Sequence, residues 1–285
     1  MEDNMHNDHH LSQWIQRGFE CSSDHHIMIY HKDGLLRGKK QTIKSNNATQ
    51  DFDSLSDSDI EWIYSNGILL LGEKEKYYSN EKPERMLNCL ISRIENNAAR
   101  WCTRQRASQL TIKQENSAEA VQMLALQRIH TFSGRQDVFG DLDSLPLSNE
   151  GKMFLYLHKR YTEDKEFMIN VHMPEEYQHC NPRQMWAISI PDNHELEFIT
   201  SDLGVVKEGQ YVFSPFSKRV GVILMWAQGE LFELERLIKF LNTAIWRSAE
   251  EYIYSSKEGG TDSLLLNSQH RQRRALEICY KDYNL

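Results

Sequence analysis

Two adjacent histidines and a nearby glutamine are the first residues of the chain whose types could do chemistry. His9, His10 and Gln13 lie in "NDHHLSQWIQRGF". On a helix Gln13 follows His9 by four residues and His10 by three, so the three side chains share one face. Two imidazoles and an amide could bind a metal ion, hold a phosphate or move a proton. The alternative is that both histidines are buried hydrogen-bonding partners that fix the first helix to the core.

Further polar residues interrupt helices that are otherwise apolar on their core side. Glu95 sits at the edge of such a face, where it could accept a proton, bind a metal or only pair with a neighbour such as Arg100. Gln127, Arg128 and His130 interrupt a second apolar segment. A buried guanidinium needs an anionic partner, so Arg128 either pairs with Glu95 or binds a substrate phosphate.

A third set of polar residues follows an apolar strand and marks the last long helix. Ser201 and Asp202 end "LEFITSD", where side chains leave the core, so Asp202 is placed for acid, base or metal chemistry. The alternative for Ser201 and Asp202 is an Asx turn or a helix cap. Asn242 lies between apolar positions and could orient a ligand or satisfy backbone groups.

These residues support two hypotheses about function. The first is a hydrolase, namely a metal-dependent nuclease or phosphodiesterase that uses a divalent metal ion and acts on a nucleic acid or nucleotide. Its predicted catalytic residues are His9, His10, Gln13, Glu95 and Asp202, and its predicted metal ligands are His10, Glu95 and Asp202. Its predicted substrate-binding residues are Gln127, Arg128, His130, Ser201 and Asn242. The second hypothesis is a non-enzymatic interaction protein in which the same residues form a buried structural network.

Helices must position most of these side chains. Apolar residues at helical spacing predict a helix from Lys82 to Thr103, with Pro83 in its first turn. The same spacing predicts further helices at Ser117–Phe132, Ser148–Tyr161 and Glu230–Tyr254. A shorter first helix, from about Asp8 to Gly18, carries the histidine pair.

Strand signals are concentrated after Pro182, although "HIMIYHKDG" near the start also alternates and ends in a turn. "QMWAISIPDNHELEFITSD" and "YVFSPFSKRVGVILMW" each predict two strands. The order of elements predicts an α+β fold: a mostly helical single domain over residues 1–254, with a small antiparallel sheet in its C-terminal half. Residues 255–285 are predicted to be a tail with a short helix.

Composition narrows the function classes. The 285 residues include 33 Lys and Arg but 41 Asp and Glu, a net charge of −8. This balance argues against a general nucleic-acid coat or a membrane-surface binder and leaves room for a local basic groove. The five cysteines are widely spaced without a CxxC pair, which predicts reduced thiols and a cytoplasmic protein. The longest apolar run, "VGVILMW", is too short for a membrane span, and the sequence has no GxGxxG, Walker, GxSxG or HExxH motif.

The order of several short motifs resembles a known family. An opening "HHLSQWIQRGF", an Ile-Glu helix "ISRIENNAARW" and an apolar helix "VQMLALQRIHTF" are followed by "FITSDLGVV", "YVFSPFS" and "LNTAIWRSAEEYIY". Together they resemble the bacterial family known as domain of unknown function 4238, over roughly Asn7 to Tyr254. Where that family has Ser-Asp-Asn-Pro, this chain has Leu203 and Gly204 after Asp202, and His130 stands where the family has an arginine. The resemblance implies that these positions belong together, and it implies no particular reaction.

Overall fold

Two antiparallel sheets and a group of three packed helices make up the described part of the chain. The computed structural model describes residues 13–21, 25–32, 38–43, 54–68, 82–115, 117–130, 139–162, 184–208, 211–225, 233–257 and 262–265. The α-helices in these ranges are α1 (Gln13–Arg17), α2 (Asp57–Ser65), α3 (Met86–Arg104), α4 (Ala118–Ile129), α5 (Asn149–Thr162) and α6 (Leu234–Ser248). Short 3-10 helices lie at Pro83–Arg85, Gly140–Ser144 and Asp262–Leu264.

All strand pairings within the two sheets are antiparallel. The strands are β1 (His26–His31), β2 (Lys39–Thr42), β3 (Thr111–Glu115), β4 (Gln184–Ser189), β5 (Thr200–Ser201), β6 (Val206–Glu208), β7 (Tyr211–Pro215), β8 (Val220–Met225) and β9 (Tyr252–Ser255). The four-stranded sheet has the order β2-β1-β9-β5, and the five-stranded sheet has the order β3-β4-β8-β7-β6. Each sheet therefore joins strands from the first half of the chain to strands from the second.

The prediction of a mostly helical domain with one small sheet in the C-terminal half is wrong. The structure has two antiparallel sheets of four and five strands, and β1, β2 and β3 all come from the first 115 residues. The prediction overlooked β3 because "TIKQE" is short, half-exposed and lies between two strong helices. Its partner strand, β4, is about 75 residues away in the sequence. The distant pairings of β1 with β9 and of β3 with β4 have no local signal in the sequence, so the sheets were underestimated.

Three helices were predicted close to their observed bounds. The buried side of α3 carries Leu87, Leu90, Ile94, Ala98 and Trp101, at the spacing that its sequence shows. Ser117 caps α4 by accepting a hydrogen bond from the Ala120 N–H at 3.3 Å. Helices α3, α4 and α5 pack against one another. Because α4 is buried on nearly every side, it forms the centre of this group.

The last long helix ends earlier than predicted. It was expected to run to Tyr254, but α6 ends at Ser248 and β9 begins at Tyr252. The Lys32 ammonium donates to the carbonyls of Arg247 and Ala249 at 2.9 and 2.7 Å, so it binds the end of the helix from outside. Strand β9 then pairs with β1 and β5, and its aromatic and β-branched residues suit a sheet better than a helix.

A single hydrophobic cluster joins the helices to both sheets. Phe216, in the turn between β7 and β8, makes edge contacts with Trp14 of α1 and Trp101 of α3, with ring centroids 6.2 and 5.9 Å apart. Beyond the predicted domain boundary at Tyr254, Leu264 is fully buried. No helix within the described ranges is long and apolar enough to cross a membrane.

Candidate functional site

The N-terminal part of the candidate site is described only from Gln13 onward. His9 and His10 lie outside the described residues, and for Gln13 the structure gives its place at the start of α1. Helix α1 rests on the β7–β8 turn: the Lys218 N–H donates to the Gly18 carbonyl at 2.9 Å. A Cβ on Gly18 would lie 2.8 Å from the Phe216 carbonyl oxygen, so the backbones approach too closely there for any other residue. The predicted catalytic roles of His9, His10 and Gln13 stay predictions.

Asp202 uses its carboxylate to hold the chain between α6 and β9. One carboxylate oxygen accepts the Glu250 N–H at 3.0 Å, and the other accepts the N–H groups of Glu251 and Tyr252 at 2.7 and 2.9 Å. The Asp202 N–H in turn donates to the Tyr252 carbonyl at 3.2 Å. Three charge-assisted bonds occupy most of the accepting capacity of this carboxylate. Its contacts thus match a structural role, although the backbone partners lie about 50 positions away and are not the local partners of the Asx turn or helix cap that the alternative predicted.

Ser201 and Asn242 also bind backbone groups. The Ser201 hydroxyl accepts the Leu203 N–H at 3.3 Å, which closes a turn at the end of β5. The fully buried Asn242 amide accepts the Ile199 N–H at 3.1 Å and donates to the carbonyls of Glu197 and Leu264 at 2.9 and 3.1 Å. Asn242 therefore joins α6 to the approach to β5 and to the segment around Leu264.

The polar residues on α3 and α4 form a separate group. Glu95 and Arg128 are half-buried, and His130 is the half-buried residue that ends α4. The Arg104–Glu119 ion pair, at 3.2 Å, joins the C-terminal end of α3 to the N-terminal end of α4. Glu95 and Arg128 each lie nine residues from that pair, or about 13 Å along their helices. Glu95 and Arg128 therefore lie at the same level along the two packed helices. A direct ion pair between them stays a prediction.

Gln127 is a predicted substrate-binding residue whose whole side-chain amide has an unusual environment. Its side chain is 1% exposed, and within the described part of the chain neither its amide oxygen nor its amide nitrogen has a hydrogen-bond partner. A buried amide without partners costs free energy, so such a group calls for a specific explanation.

The described residues do not assemble the predicted metal site. No group of three or more His, Cys, Asp or Glu side chains in the described ranges is arranged to hold a metal ion. Of the predicted ligands, His10 is outside those ranges and Asp202 is bound to three backbone N–H groups. The contribution of Glu95 to a metal site, and the divalent ion itself, stay predictions.

Asp59 is a buried carboxylate that the sequence analysis missed. It is 1% exposed and accepts the N–H and hydroxyl of Ser148 at 2.8 and 2.6 Å, as well as the N–H and hydroxyl of Ser56 at 3.2 and 2.6 Å. Burial alone would raise the pKa of Asp59, but the hydrogen bonds from Ser148 and Ser56 outweigh it and hold the pKa below its usual value. One side chain thereby binds the start of α2 and the start of α5. The signal in the sequence was the Ser-x-x-Asp spacing of a capping box.

Glu197 is a second buried carboxylate that was missed. It is 4% exposed and accepts the Ser255 hydroxyl at 3.3 Å and the Ser256 hydroxyl at 2.8 and 2.7 Å. These bonds attach the chain before β5 to the end of β9. An acidic residue between Leu196 and Phe198, both buried, was the available signal.

Comparison with known proteins adds no relative: no protein-family model, no curated protein and no solved structure matches the chain. The resemblance to the domain of unknown function family therefore stays a prediction that rests on its motifs.

Proposed function

We propose that this protein acts by binding a partner and that Ser201, Asp202 and Asn242 are structural residues. The observation that carries the proposal is the Asp202 carboxylate, which accepts three backbone N–H groups at 2.7–3.0 Å. A general base or metal ligand needs a lone pair directed at the proton or the ion. The three hydrogen bonds occupy most of the lone pairs of the Asp202 carboxylate. Asn242 and Ser201 have backbone partners as well, so the described C-terminal half of the predicted site is a closed network.

The test of this proposal is a search for catalysis with a matched variant. Purified wild-type protein and the His9→Ala/His10→Ala variant would be assayed for metal content and for hydrolysis of RNA, DNA and cyclic nucleotides. We expect neither protein to hydrolyse these substrates and both to have the same metal content. Hydrolysis by the wild type that the double variant loses, with an unchanged circular dichroism spectrum, would overturn the proposal.

One observation favours the hydrolase as a second candidate function. Within the described residues the Gln127 amide has no hydrogen-bond partner, and it is close in sequence to Arg128 and His130, so a bound nucleotide would supply the hydrogen bonds that those residues do not. In that case Gln127→Leu would weaken nucleotide binding without destabilising the fold. Under the binding-protein proposal, the same substitution leaves nucleotide affinity unchanged and stabilises the protein, because it removes an unbonded buried amide.

The proposal takes the protein to be cytoplasmic and without a membrane partner. Within the described residues, Cys21, Cys89 and Cys102 are not joined in disulfides, which suits a reducing compartment. Burial raises the pKa of Cys102 to about 12, so this thiol stays protonated and unreactive.

A further inference from the structure

Strand β3 is an edge of the five-stranded sheet, and its outer side faces no other strand within the described residues. It is the first strand in the order β3-β4-β8-β7-β6 and pairs with β4. The other edge strands are protected: β5 and β6 pack against α6, and β2 carries the exposed residues Lys39 and Lys40 without an acidic residue. Helix cover and exposed lysines both hinder the pairing of an edge strand with another chain. Among the described edges, β3 is therefore the one that can accept a partner strand.

The hydrogen bonds between β4 and β8 determine which backbone groups of β3 point outward. The register that pairs these two strands continues to Ile190, whose N–H donates to the Arg219 carbonyl at 2.8 Å. The backbone groups of an antiparallel strand point to alternate sides, so every second residue of β4 bonds to β8 and the residues between them bond to β3. Ala187 is an odd number of positions from Ile190 and thus belongs to the second set. It lies opposite Lys113, so the backbone groups of Lys113 point toward β4.

The backbone N–H and C=O groups of Ile112 and Gln114 consequently point away from β4. These two residues alternate with Lys113 along the strand. Within the described residues, no hydrogen bond to these outward groups is present. Gln114 is exposed, Ile112 is half-buried, and β3 contains no proline, so a second strand can form backbone hydrogen bonds along this edge.

The charges of β3 are complementary to a second copy of the same strand. In an antiparallel pair of two copies centred on Gln114, this residue faces its own copy, and Lys113 of each copy faces Glu115 of the other. Lys113 and Glu115 occupy non-hydrogen-bonded positions in that register, where side chains across the pair are closest and opposite charges stabilise it. A pair centred on Lys113 would instead set two lysines face to face, and a pair centred on Ile112 would set Lys113 against Thr111. Within the described residues, neither the Lys113 ammonium nor the Glu115 carboxylate has a hydrogen-bonding or ionic partner of its own.

We propose that the protein forms a homodimer in which two copies of β3 pair antiparallel around Gln114 and join the two five-stranded sheets into one continuous sheet. The inference rests on the proposed function as a binding protein, and it names one partner, a second copy of this chain. A pair of strands this short buries an area at the low end of specific interfaces, so we expect a dissociation constant of about 10–100 μM. Because the two Lys113–Glu115 pairs lie at the surface, the dissociation constant should rise with salt concentration.

Sedimentation equilibrium of the wild type and two variants of Gln114, between about 5 and about 500 μM protein in 50 mM KCl, tests the backbone pairing. Gln114→Pro removes an outward N–H and leaves the hydrogen bonds to β4 in place, so the dimer should weaken at least about tenfold. Gln114→Ala also removes the side-chain amide but keeps the N–H, so its dissociation constant should stay within about threefold of the wild-type value. Circular dichroism checks that both variants are folded.

Exchange of the two charges tests the register. Lys113→Glu gives both copies two acids on the facing positions, and Glu115→Lys gives both copies two bases, so each variant alone should dimerise at least about tenfold more weakly than the wild type. An equimolar mixture of these two variants should associate with about the wild-type affinity, because every acid then faces a lysine. Lys39→Glu, on the exposed edge strand β2, is the control and should leave the dimer unchanged.

Three outcomes would overturn the inference. They are a wild type that stays monomeric at about 500 μM, a folded Gln114→Pro protein that dimerises like the wild type, and folded charge variants that do not associate when mixed. If Gln114→Pro fails to fold, the mixture decides the question, because gain of association cannot come from a folding defect. None of these outcomes involves hydrolysis, so failure of the dimer is distinct from failure of the binding-protein proposal.

Discussion

At the scale of single residues, Asp59, Asp202 and Asn242 share one task, which is to bind segments that are distant in sequence. Asp59 holds the starts of two helices, Asp202 holds the chain before β9, and Asn242 joins three segments. The sequence predicted that Asp202 and Asn242 stand at special positions. Their partners are backbone groups 22 to 50 positions away, which no residue type reveals.

Replacement of Asp59 should show how much one carboxylate contributes to two helices. Asp59→Ala removes the acceptor for four donors on Ser56 and Ser148, so we expect the free energy of unfolding to fall by about 2–4 kcal/mol. Urea denaturation of wild type and variant would measure the difference. Asp57→Ala, an exposed residue in the same first turn, is the control and should change stability by less than about 0.5 kcal/mol.

The same carboxylate makes stability depend on pH in a defined direction. The pKa of Asp59 is lower in the folded protein than its usual value of 3.8, so the folded state favours the ionised form. Its contribution is fully present above the unfolded pKa and is lost as the pH falls through the lowered folded pKa. Denaturation between pH 6 and pH 2 should therefore show a smaller acid-induced loss in Asp59→Asn than in the wild type, and equal losses would contradict this assignment.

At the scale of elements, the junction between α6 and β9 decides how the C-terminal half is arranged. Helical periodicity predicted α3 well because it buries a stripe of apolar side chains, and the apolar runs of α4 and α5 had the length of a helix. Helical periodicity failed at β9, because the apolar residues of "YIYS" continue the pattern of α6. The strands that pair with β9 are β1 and β5, which are distant in the sequence. Lys32 and Asp202, both distant in sequence, bind the backbone at the end of α6. The sequence around the helix end therefore contains no signal for its termination.

Asp202→Asn should destabilise the junction between α6 and β9, because the role of Asp202 is structural and not catalytic. An amide offers one oxygen where the carboxylate offers two, and its NH₂ group would face a backbone N–H. We expect a loss of about 1–3 kcal/mol in stability, with faster hydrogen exchange at β9. Asp192→Asn, exposed in the turn after β4, is the matched control and should leave both unchanged. An Asp202→Asn protein with wild-type stability would show that the three bonds contribute little.

At the scale of the whole molecule, the shared core predicts that helices and sheets unfold together. Phe216 lies between Trp14 and Trp101 and so connects α1, α3 and the five-stranded sheet. Phe216→Leu should lower the melting temperature by the same amount in circular dichroism and in tryptophan fluorescence, because one cooperative unit has one transition. Tyr64→Leu, which is 49% exposed, should move neither signal. A shift in one signal alone would show that the helices and the sheet are separate units.

The pairing of β1 with β9 has a consequence for how the protein is made. Tyr30 of β1 donates a hydrogen bond to the carbonyl of Lys257, 227 positions later. A ribosome adds about 5–20 residues per second, so roughly 11–45 s separate the synthesis of these two residues. The β1–β2 hairpin can form early, but one edge of β1 has to wait for β9 with its backbone donors and acceptors unpaired. During translation, that waiting edge is where we expect a chaperone to bind the nascent chain.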